Sequence, residues 1–544
     1  MKKWMRILGV VLGGWLAAGT GSAQITKLAP DLIQLLNLNN LFTTVIVQYQ
    51  APPTGLDILT LQLLGGVVKQ TFSAIPAVLV QLPAINLLSI ANILNVVYVS
   101  PDRSLAGMLD NTPQTVNAPA AWQLGYDGSG IGVAVIDSGI ANHPDLYSNG
   151  ISRVVYRQSF NGSSQTDLFG HGTHVAGIIA GNGLSSTGPT YTKTFKGIAP
   201  NVHLIDLRVL DQNGAGTDSM VIAAVQEAIA LKSKYNIRVI NLSLGRPVYE
   251  SYRFDPLCRA VQAAWKAGIT VVVAAGNLGR NGYATITAPG NAPQVITVGA
   301  MKNMGTPGRA DDQIASYSSK GPSYIDLVVK PDLVAPGNLT NSLLAPGSTL
   351  AVQYPQNVLP ASYYSTTNPP SQYFTLSGTS MATPVVSGAA AILLQKNPSL
   401  TPDTIKARLM KTATKSFPAY STATDPTTGV TYTSNYDLFT VGAGYLDINA
   451  ALASTDTLTK TALSPIATYN AGTNQAYVTM DSSAVWGTSA VWGTSAVWGT
   501  SVLINGTSAV WGTSAVWGTS AVWGTSAVWG TSAVWGTTSG FGEN

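Results

Sequence analysis

The sequence predicts an α/β fold with a mostly parallel central sheet, preceded by a small α+β unit. Runs such as GIGVAVIDSG, IRVINLSLG and ITVVVAAGN are rich in β-branched residues and lack polar alternation, which is typical of strands buried on both faces. Helical segments such as SMVIAAVQEAIALKSKY separate these runs, and the alternation extends from Ala118 to about Thr455. In such sheets the functional side chains gather at the carboxyl ends of the strands.

Composition divides the rest of the 544-residue chain around this region, which we assign to residues 109–455. Residues 24–108 are unusually apolar and combine short β-rich runs with candidate helices, which predicts the small α+β unit. Residues 456–481 are predicted as a linker. Residues 482–539 repeat the hexapeptide AVWGTS with one interruption.

The repeat places a tryptophan every six residues within each unbroken run. Because six is even, an extended chain would present these indoles on one face, so a stacked β arrangement is one interpretation. A low-complexity chain without a fold is the other. Exposed tryptophans in a row are suited to binding polysaccharide or to self-association through paired strands. The competing interpretation is an inert spacer with neither function.

Residues 1–23 have the form of a signal peptide. Three cations precede an apolar run over residues 7–18, and small residues then precede Gln24. An uncleaved anchor is the alternative, but this run is shorter than the roughly 20 apolar residues that a span needs, and it contains glycines. We therefore expect an exported protein, whether extracellular, at the cell surface or periplasmic, with no membrane span in its mature form.

Charge and cysteine content exclude two classes of function. Charged residues make up 10% of the chain, the net charge is +4 and there is no long basic run, which argues against binding nucleic acid. The single cysteine, Cys258, rules out an intrachain disulfide framework and is interpreted as a buried apolar residue.

Two of the four histidines lie three residues apart, in DLFGHGTHVAGIIAG. His171 and His174 at this spacing can share a helix face and bind a metal, or one of them can serve as a base. No third ligand at a plausible spacing accompanies them, which disfavours a metallohydrolase.

Three further polar residues lie where packing does not explain them. Asp137 ends the buried run VAVIDSGI, Ser380 begins the apolar helix of SGTSMATPVVSGAAAILL, and Asn277 follows the run VVVAA. Taken alone, Asp137 is interpreted as the cap of a turn and Ser380 as the N-cap of a helix. Together with His171 they supply an orienting carboxylate, a base and a nucleophile, and the amide of Asn277 suits donation to an oxyanion.

The segments VAVIDSGI, HGTHVAGIIAG, AAGN and SGTSMATP resemble, in this order, the signature blocks of the subtilisin-like serine peptidases, or subtilases. The resemblance covers residues 118–455 approximately. It implies a three-layer subtilisin-like fold and a serine-type endopeptidase that forms an acyl-enzyme. It also implies that Asp137 orients the general base His171, that Ser380 attacks, that Asn277 and the Ser380 N–H form the oxyanion hole, and that His174 is structural.

The resemblance further implies four substrate-binding segments. Two of them flank an extended substrate and two line the pocket for the residue before the cut. Their residues are Gly214, Ala215, Gly216, Ser243, Leu244, Gly245, Ala274, Ala275, Gly276, Ala288, Pro289 and Gly290. Position 278 could carry a charged pocket residue but is a leucine in this chain. We therefore expect the substrate residue before the cut to have an apolar or aromatic side chain.

The apolar unit at residues 24–108 resembles the subtilase propeptide, which assists folding and inhibits its own enzyme until it is cut. The cut is expected between Arg103 and Thr112.

No cofactor is implied for the chemistry. Asp145 matches a calcium ligand of secreted members, although the loop after GIIAG does not resemble their calcium loop. Val385 and Ser387 also depart from the family pattern, and this change is expected to affect packing only.

The leading interpretation is therefore a secreted endopeptidase, made as a self-processing zymogen, that acts on protein or peptide substrates. The alternative is a surface-binding or scaffold protein that acts through its tryptophan repeats.

Residues 338–375 form a longer stretch than in compact family members and are expected to shape the substrate cleft.

Overall fold

A computed structural model describes residues 27–29, 32, 36, 42–72, 76–101, 111–162, 166–425, 428–470 and 475–479. By its internal contacts the chain divides into two compact units, Met1–Ala106 and Gly107–Asn544. The predicted signal peptide, most of the predicted cut region and the tryptophan repeats lie outside the described residues. Within the described part, no helix has both the length and the apolar character needed to cross a bilayer.

The first unit contains a four-stranded antiparallel sheet in the order β2-β3-β1-β4. In the first strand Val45, Val47 and Tyr49 are buried and alternate with more exposed residues, as expected for a sheet with one covered face. The elements are β1 (Phe42–Tyr49), α1 (Gly55–Leu63), β2 (Val67–Phe72), β3 (Ala77–Pro83), α2 (Leu87–Ala91) and β4 (Val96–Pro101).

The second unit is built on a sheet in the order β13-β12-β11-β10-β5-β9-β8, with β14 paired to β12. All of these pairings are parallel except that of β12 with the short strand β13. The strands are β5 (Gly132–Asp137), β8 (Val154–Ser159), β9 (His203–Arg208), β10 (Ile237–Leu242), β11 (Thr270–Ala274), β12 (Ile296–Lys302), β13 (Gln313–Ile314) and β14 (Leu333–Pro336). The predicted α/β fold with a mostly parallel sheet is confirmed.

Two groups of helices pack on this sheet, consistent with three layers. Helices α5 and α9 pack against each other, and so do α6 and α7. The first sixteen residues of α9 are all buried, since the helix lies against β10, β11, β12 and β14. The helices are α3 (Thr112–Thr115), α4 (Ala118–Gln123), α5 (His171–Ala180), α6 (Asp218–Ala230), α7 (Pro256–Lys266), α8 (Thr349–Gln353), α9 (Thr379–Lys396), α10 (Pro402–Thr412), α11 (Leu438–Val441) and α12 (Ile448–Ala453).

Four antiparallel two-stranded pairs complete the described part of this unit. They are β6 (Tyr147–Ser148) with β7 (Ile151–Ser152), β15 (Thr340–Leu343) with β16 (Tyr373–Leu376), β17 (Tyr420–Thr424) with β18 (Thr431–Asn435), and β19 (Ile466–Asn470) with β20 (Gln475–Thr479).

The beginning of the predicted linker packs into the core of the second unit. Ala462 and Ala467 are buried there, and Ser464 donates through its N–H to the carbonyl of Pro293. The packed domain therefore extends about a dozen residues beyond the boundary that composition suggested.

Ser464 also completes a buried cluster of charges. Asp332 lies between Lys330, 2.7 Å away, and Lys406, 3.2 Å away, and all three side chains are fully buried. Ser464 donates to the same carboxylate at 2.5 Å. Burial lowers the pKa of Lys330 to about 7, although the charge of Asp332 opposes this. The cluster joins the segment just before β14, helix α10 and the segment around Ser464.

We expect Asp332→Ala to destabilise the domain strongly, because it leaves two lysines buried without their counter-ion. A loss of about 3–5 kcal/mol in the free energy of unfolding is expected, measured by urea unfolding of chains that also carry Ser380→Ala. Asp456→Ala is the control, since Asp456 pairs with Lys411 at the surface and its loss is expected to cost at most about 1 kcal/mol. Equal losses for the two variants would contradict a structural role for the cluster.

Candidate active site

Asp137 and His171 meet where strand β5 ends and helix α5 begins. The Nδ1 atom of His171 lies 2.7 Å from Oδ1 of Asp137, and each residue is only 1% exposed. The same oxygen accepts the N–H of Ser138 at 2.7 Å. A carboxylate at this position favours the tautomer with the proton on Nδ1 and leaves Nε2 able to accept a proton.

Close backbone packing holds the helix start against the strand end. A Cβ atom on Gly172 would lie 2.2 Å from the carbonyl oxygen of Gly139 and 3.2 Å from Cβ of Asp137. Gly170, just before the helix, has a φ of 100°, which suits glycine. The glycines around His171 therefore let the start of helix α5 and the end of strand β5 approach closely enough for the contact between His171 and Asp137.

A second buried carboxylate, Asp167, was missed by the sequence analysis. It accepts the N–H groups of Gly170 (2.7 Å) and Thr173 (2.8 Å) and the hydroxyls of Ser138 (2.8 Å) and Thr173 (2.7 Å). Ser138 Oγ in turn accepts the N–H of Gly172 at 2.9 Å. Asp167 thus satisfies N–H groups at the start of helix α5, as a capping residue does. An aspartate just before an apolar helix was the available signal.

The two carboxylates determine the electrostatics of His171. Burial alone would lower its pKa, but the charge of Asp137, the hydrogen bond to Asp137 and the charge of Asp167 together raise the pKa above its usual value. His171 Nε2 has no hydrogen-bond partner among the described residues. The ring is therefore a strengthened base whose accepting nitrogen is not engaged.

Ser380 lies in the first turn of helix α9 and is 3% exposed. Its hydroxyl donates to the carbonyl of Ser243 at 3.1 Å. A buried chain of hydrogen bonds supports its backbone: Ser387 donates to Asn241 (2.8 Å), Asn241 to the Ser243 hydroxyl (3.0 Å), and that hydroxyl to the carbonyl of Ser380 (2.8 Å). Ser387 therefore contributes a polar contact, and not packing alone as the sequence analysis expected.

Asn277 lies beside the start of the same helix. Its Oδ1 accepts both the N–H of Thr379, at 2.9 Å, and the Thr379 hydroxyl, at 3.0 Å. These two bonds fix the plane of the amide and assign its nitrogen as the donor. Asn277 and Ser380 are thus brought together through Thr379, a residue that sequence reasoning did not single out.

The predicted substrate-binding segments gather at the carboxyl side of the parallel strands. Gly214–Gly216 belongs to the turn after β9, where the Asp211 N–H donates to the Ala215 carbonyl at 2.8 Å and the Ala215 N–H donates to the Asp211 carboxylate at 3.0 Å. Ser243–Gly245 directly follows β10, and Ala274 ends β11. Ala288 pairs with Arg246 in an antiparallel bridge, which places residues 288–290 next to 243–245.

The longer stretch at residues 338–375 contacts the segment just before His171. Thr349 N–H donates to the carbonyl of Leu168 at 2.9 Å, and Leu350 N–H to that of Phe169 at 3.0 Å. A Cβ atom on Gly170 would lie 2.4 Å from the Ser348 hydroxyl. The stretch therefore lies against the entry to helix α5, and its effect on a substrate remains a prediction.

His174 occupies a different environment from His171. Its Nε2 lies 3.1 Å from the carbonyl of Thr340 and 3.0 Å from that of Phe374, so this nitrogen is the donor. Burial and the neighbouring His171 lower the pKa of His174 to about 3. His174 is a neutral side chain that connects helix α5 to the strands β15 and β16.

The hydrogen bonds of Asp145 do not fit a calcium ligand. Its Oδ1 accepts the N–H of Ser185 at 2.6 Å, and its Oδ2 accepts the hydroxyl of Tyr373 at 2.8 Å. Calcium needs six to eight oxygen ligands, whereas both oxygens here already face hydrogen donors. Across the part of the chain that the structure describes, no group of three or more His, Cys, Asp or Glu residues is arranged to hold a metal ion.

Comparisons with known proteins place this geometry in context. The model of the Subtilase family matches residues 128–444. Serine protease AprX of Bacillus subtilis (strain 168) is 39% identical over 333 residues, which cover 59% of this chain and 70% of that protein. Subtilisin DY of Bacillus licheniformis is 36% identical over 301 residues, covering 55% and 89%. A solved structure of a cold adapted subtilisin-like serine proteinase is 32% identical, with a TM-score of 0.39, and the match covers 53% of this chain and 84% of that one.

We expect Ser387→Ala to destabilise the domain by about 1–3 kcal/mol, because it removes the donor to the buried Oδ1 of Asn241. Ser399→Ala, at an exposed position, is the control and should change the free energy of unfolding by no more than about 0.5 kcal/mol. Urea unfolding of chains that also carry Ser380→Ala measures both. Indistinguishable midpoints would show that Asn241 does not depend on Ser387.

Proposed function

The chain belongs to the subtilase family and is a serine-type endopeptidase, and from that premise we propose that Ser380 is its nucleophile, His171 its general base and Asp137 the carboxylate that orients the base. The observation that carries the proposal is the buried 2.7 Å contact between Asp137 and His171 Nδ1. It gives the imidazole the tautomer that can accept a proton from a serine hydroxyl.

In the proposed first step, the Ser380 Oγ–H proton passes to His171 Nε2 while Oγ forms a bond to the carbonyl carbon of the substrate. The carbonyl oxygen becomes an oxyanion, stabilised by the Asn277 side-chain amide and the Ser380 N–H. Collapse of this intermediate breaks the C–N bond, and the leaving amine takes the proton from His171. Water then hydrolyses the acyl-enzyme by the same sequence.

The hydroxyl of Ser380 must first leave its present acceptor, the carbonyl of Ser243. An extended substrate paired with Ser243–Gly245 would offer its own N–H groups to this segment, as an added strand does. We propose that this exchange releases the hydroxyl for His171. Binding of the substrate backbone and activation of the nucleophile are then coupled through one carbonyl oxygen.

The finer parts of the proposal concern maturation. We propose that the protein is exported and made as a zymogen, with residues 24–108 as an inhibitory propeptide that the enzyme removes itself. The antiparallel sheet of residues 42–101 with its two helices supports a separate folding unit. The apolar run after three N-terminal cations supports export. Binding through the tryptophan repeats stays a prediction.

A fluorophosphonate is expected to label the processed protein at Ser380 and to abolish hydrolysis, with no labelling of a Ser380→Ala chain. His171→Ala should lower kcat at least about 10⁴-fold and should stop self-processing. His174→Ala is its matched control: removal of this buried donor is expected to cost roughly 1–3 kcal/mol of stability while kcat of the folded protein changes little. Equal losses of kcat from both histidines, with folding intact, would contradict the assignment of the base.

The ratio kcat/KM is expected to rise with pH through the pKa of His171, because only the neutral imidazole accepts the proton. Since the carboxylates raise this pKa, the midpoint should lie above the usual value of about 6.5. Asp167→Asn removes one of these charges and should move the midpoint to lower pH. Glu250→Gln, at an exposed position, should not move it. An unchanged midpoint in Asp167→Asn would contradict a contribution of Asp167 to the raised pKa of His171.

A further inference from the structure

Aromatic side chains are exposed together on the segment between strand β10 and helix α7. Phe254 is 74% exposed and Tyr249 is 67% exposed, while Tyr252 between them is half-buried. Single exposed apolar residues are common on protein surfaces, but a group of them marks a site of interaction. This segment therefore presents aromatic surface that the described part of the chain leaves uncovered.

A second segment, which precedes β14, lies against this surface. The Ser251 hydroxyl donates to Oδ1 of Asp326 at 2.6 Å, and the N–H of Tyr252 donates to Oδ2 at 2.8 Å. Ile325, the neighbour of Asp326, is exposed. These two bonds add an aliphatic side chain to the aromatic ones. The aromatic face, as we name it, consists of Tyr249, Tyr252, Phe254 and Ile325.

Arginine side chains stack on two of these rings. The guanidinium of Arg253 lies 5.8 Å from the ring centre of Tyr252, and that of Arg246 lies 5.8 Å from the ring centre of Tyr249. Arg253 is exposed. Guanidinium groups stack on aromatic rings, and tryptophan is the best partner for a cation. The chemistry of the face therefore fits an aromatic occupant, and an indole in particular.

The C-terminal part of the chain leaves the fold beside this face. Ala467 N–H donates to the carbonyl of Leu327 at 2.8 Å, and Ile466 forms an antiparallel bridge with Val328. Thr479, the last residue of β20, is paired with Ile466. Neighbouring strands are about 4.8 Å apart, so the backbone of Thr479 lies about 10 Å from that of Val328.

The tryptophan repeats begin within reach of the face. Val328 is three residues from Ile325, so the path from Thr479 to Ile325 is at most about 20 Å. Trp486 is seven residues beyond Thr479, and seven extended residues span about 23 Å. The first tryptophan can therefore contact the face, and those after it have longer connections.

The composition of this tail matches the face. Residues 482–539 contain eight tryptophans and no charged residue. Tryptophan, tyrosine and arginine are the residues that contribute most at protein interfaces. Because the tail is attached next to the face, its effective concentration there is on the order of millimolar, which favours it over a separate molecule. Attachment, reach and composition together identify the tail as the occupant.

We propose that the tryptophan repeats of residues 482–539 bind the aromatic face of their own peptidase domain. The indoles pack on Tyr249 and Phe254 and stack on the guanidinium of Arg253. The repeat supplies several equivalent indoles to one face, so that any of them occupies it. The proposal does not depend on the assignment of the catalytic residues.

The test is photo-cross-linking of the full chain, which carries Ser380→Ala so that it does not digest itself. p-Benzoylphenylalanine replaces Phe254, and the dilute protein is irradiated. We expect a product of monomer mass in which mass spectrometry of the peptides locates the link between position 254 and residues 482–539. A chain with no link from position 254 to these residues would overturn the proposal.

The control carries p-benzoylphenylalanine in place of Leu184, which is 58% exposed. Its neighbour Ser185 bonds to Asp145, before β8, and β8 lies at the opposite end of the sheet from β12 and β14. The yield of links to the tail is expected to be at least about tenfold higher from position 254 than from position 184. Equal yields would show contact without a specific face and would overturn the proposal.

The same experiment identifies other occupants. Links from position 254 to the tail that appear only at dimer mass would assign the face to a second copy of the chain and overturn binding within one chain. A link to added cellohexaose in place of the tail would assign the face to carbohydrate, with the same consequence.

A second measurement uses natural residues only. The double variant Tyr249→Ser and Phe254→Ser changes two exposed side chains, so its fold is expected to persist. Release of the indoles should raise the quenching of tryptophan fluorescence by acrylamide relative to the wild-type chain, while Leu184→Ser should leave it unchanged. Quenching that is the same in the double variant and the wild type would contradict the proposal.

Discussion

The hydrogen bond between Asp137 and His171 is the interaction on which the arrangement of the site depends. A carboxylate and an imidazole that are both 1% exposed lose nearly all of their hydration, and only direct partners can replace it. The Ser138 N–H and His171 supply two of these partners. Both come from chain segments that must therefore stay in register, the end of strand β5 and the start of helix α5.

Asp167 extends this requirement into the helix. By accepting the N–H groups of Gly170 and Thr173, it holds the first turn of the helix against the loop that carries Ser138. It also adds a second negative charge that raises the pKa of His171. A single side chain thus serves both to position the base and to strengthen it, so substitutions at Asp167 affect folding and proton affinity together.

The elements of the fold were predictable because their signals are local. Uninterrupted β-branched runs predicted the buried parallel strands. Asp137 ended such a run, Asn277 followed another, and Ser380 stood at the start of an apolar helix. What sequence reasoning missed depends on residues far apart in the chain. Thr379 and Asn277 are 102 positions apart, Ser464 and Asp332 are 132, and Ser387 and Asn241 are 146. No local sequence pattern identifies a hydroxyl group that donates a hydrogen bond to a buried partner far away in the chain.

The Ser243 carbonyl is involved both in holding the Ser380 hydroxyl and in the proposed binding of the substrate backbone. It accepts the Ser380 hydroxyl in the structure, and it belongs to the segment proposed to pair with substrate. In the proposed mechanism this oxygen accepts the Ser380 hydroxyl in the resting state and a substrate N–H in the complex, so that binding of a peptide backbone favours release of the hydroxyl. Water can also donate to this carbonyl, but it is not held in place by a strand on either side. In this proposal, release of the hydroxyl is coupled to the substrate backbone and does not depend on which side chain precedes the cut.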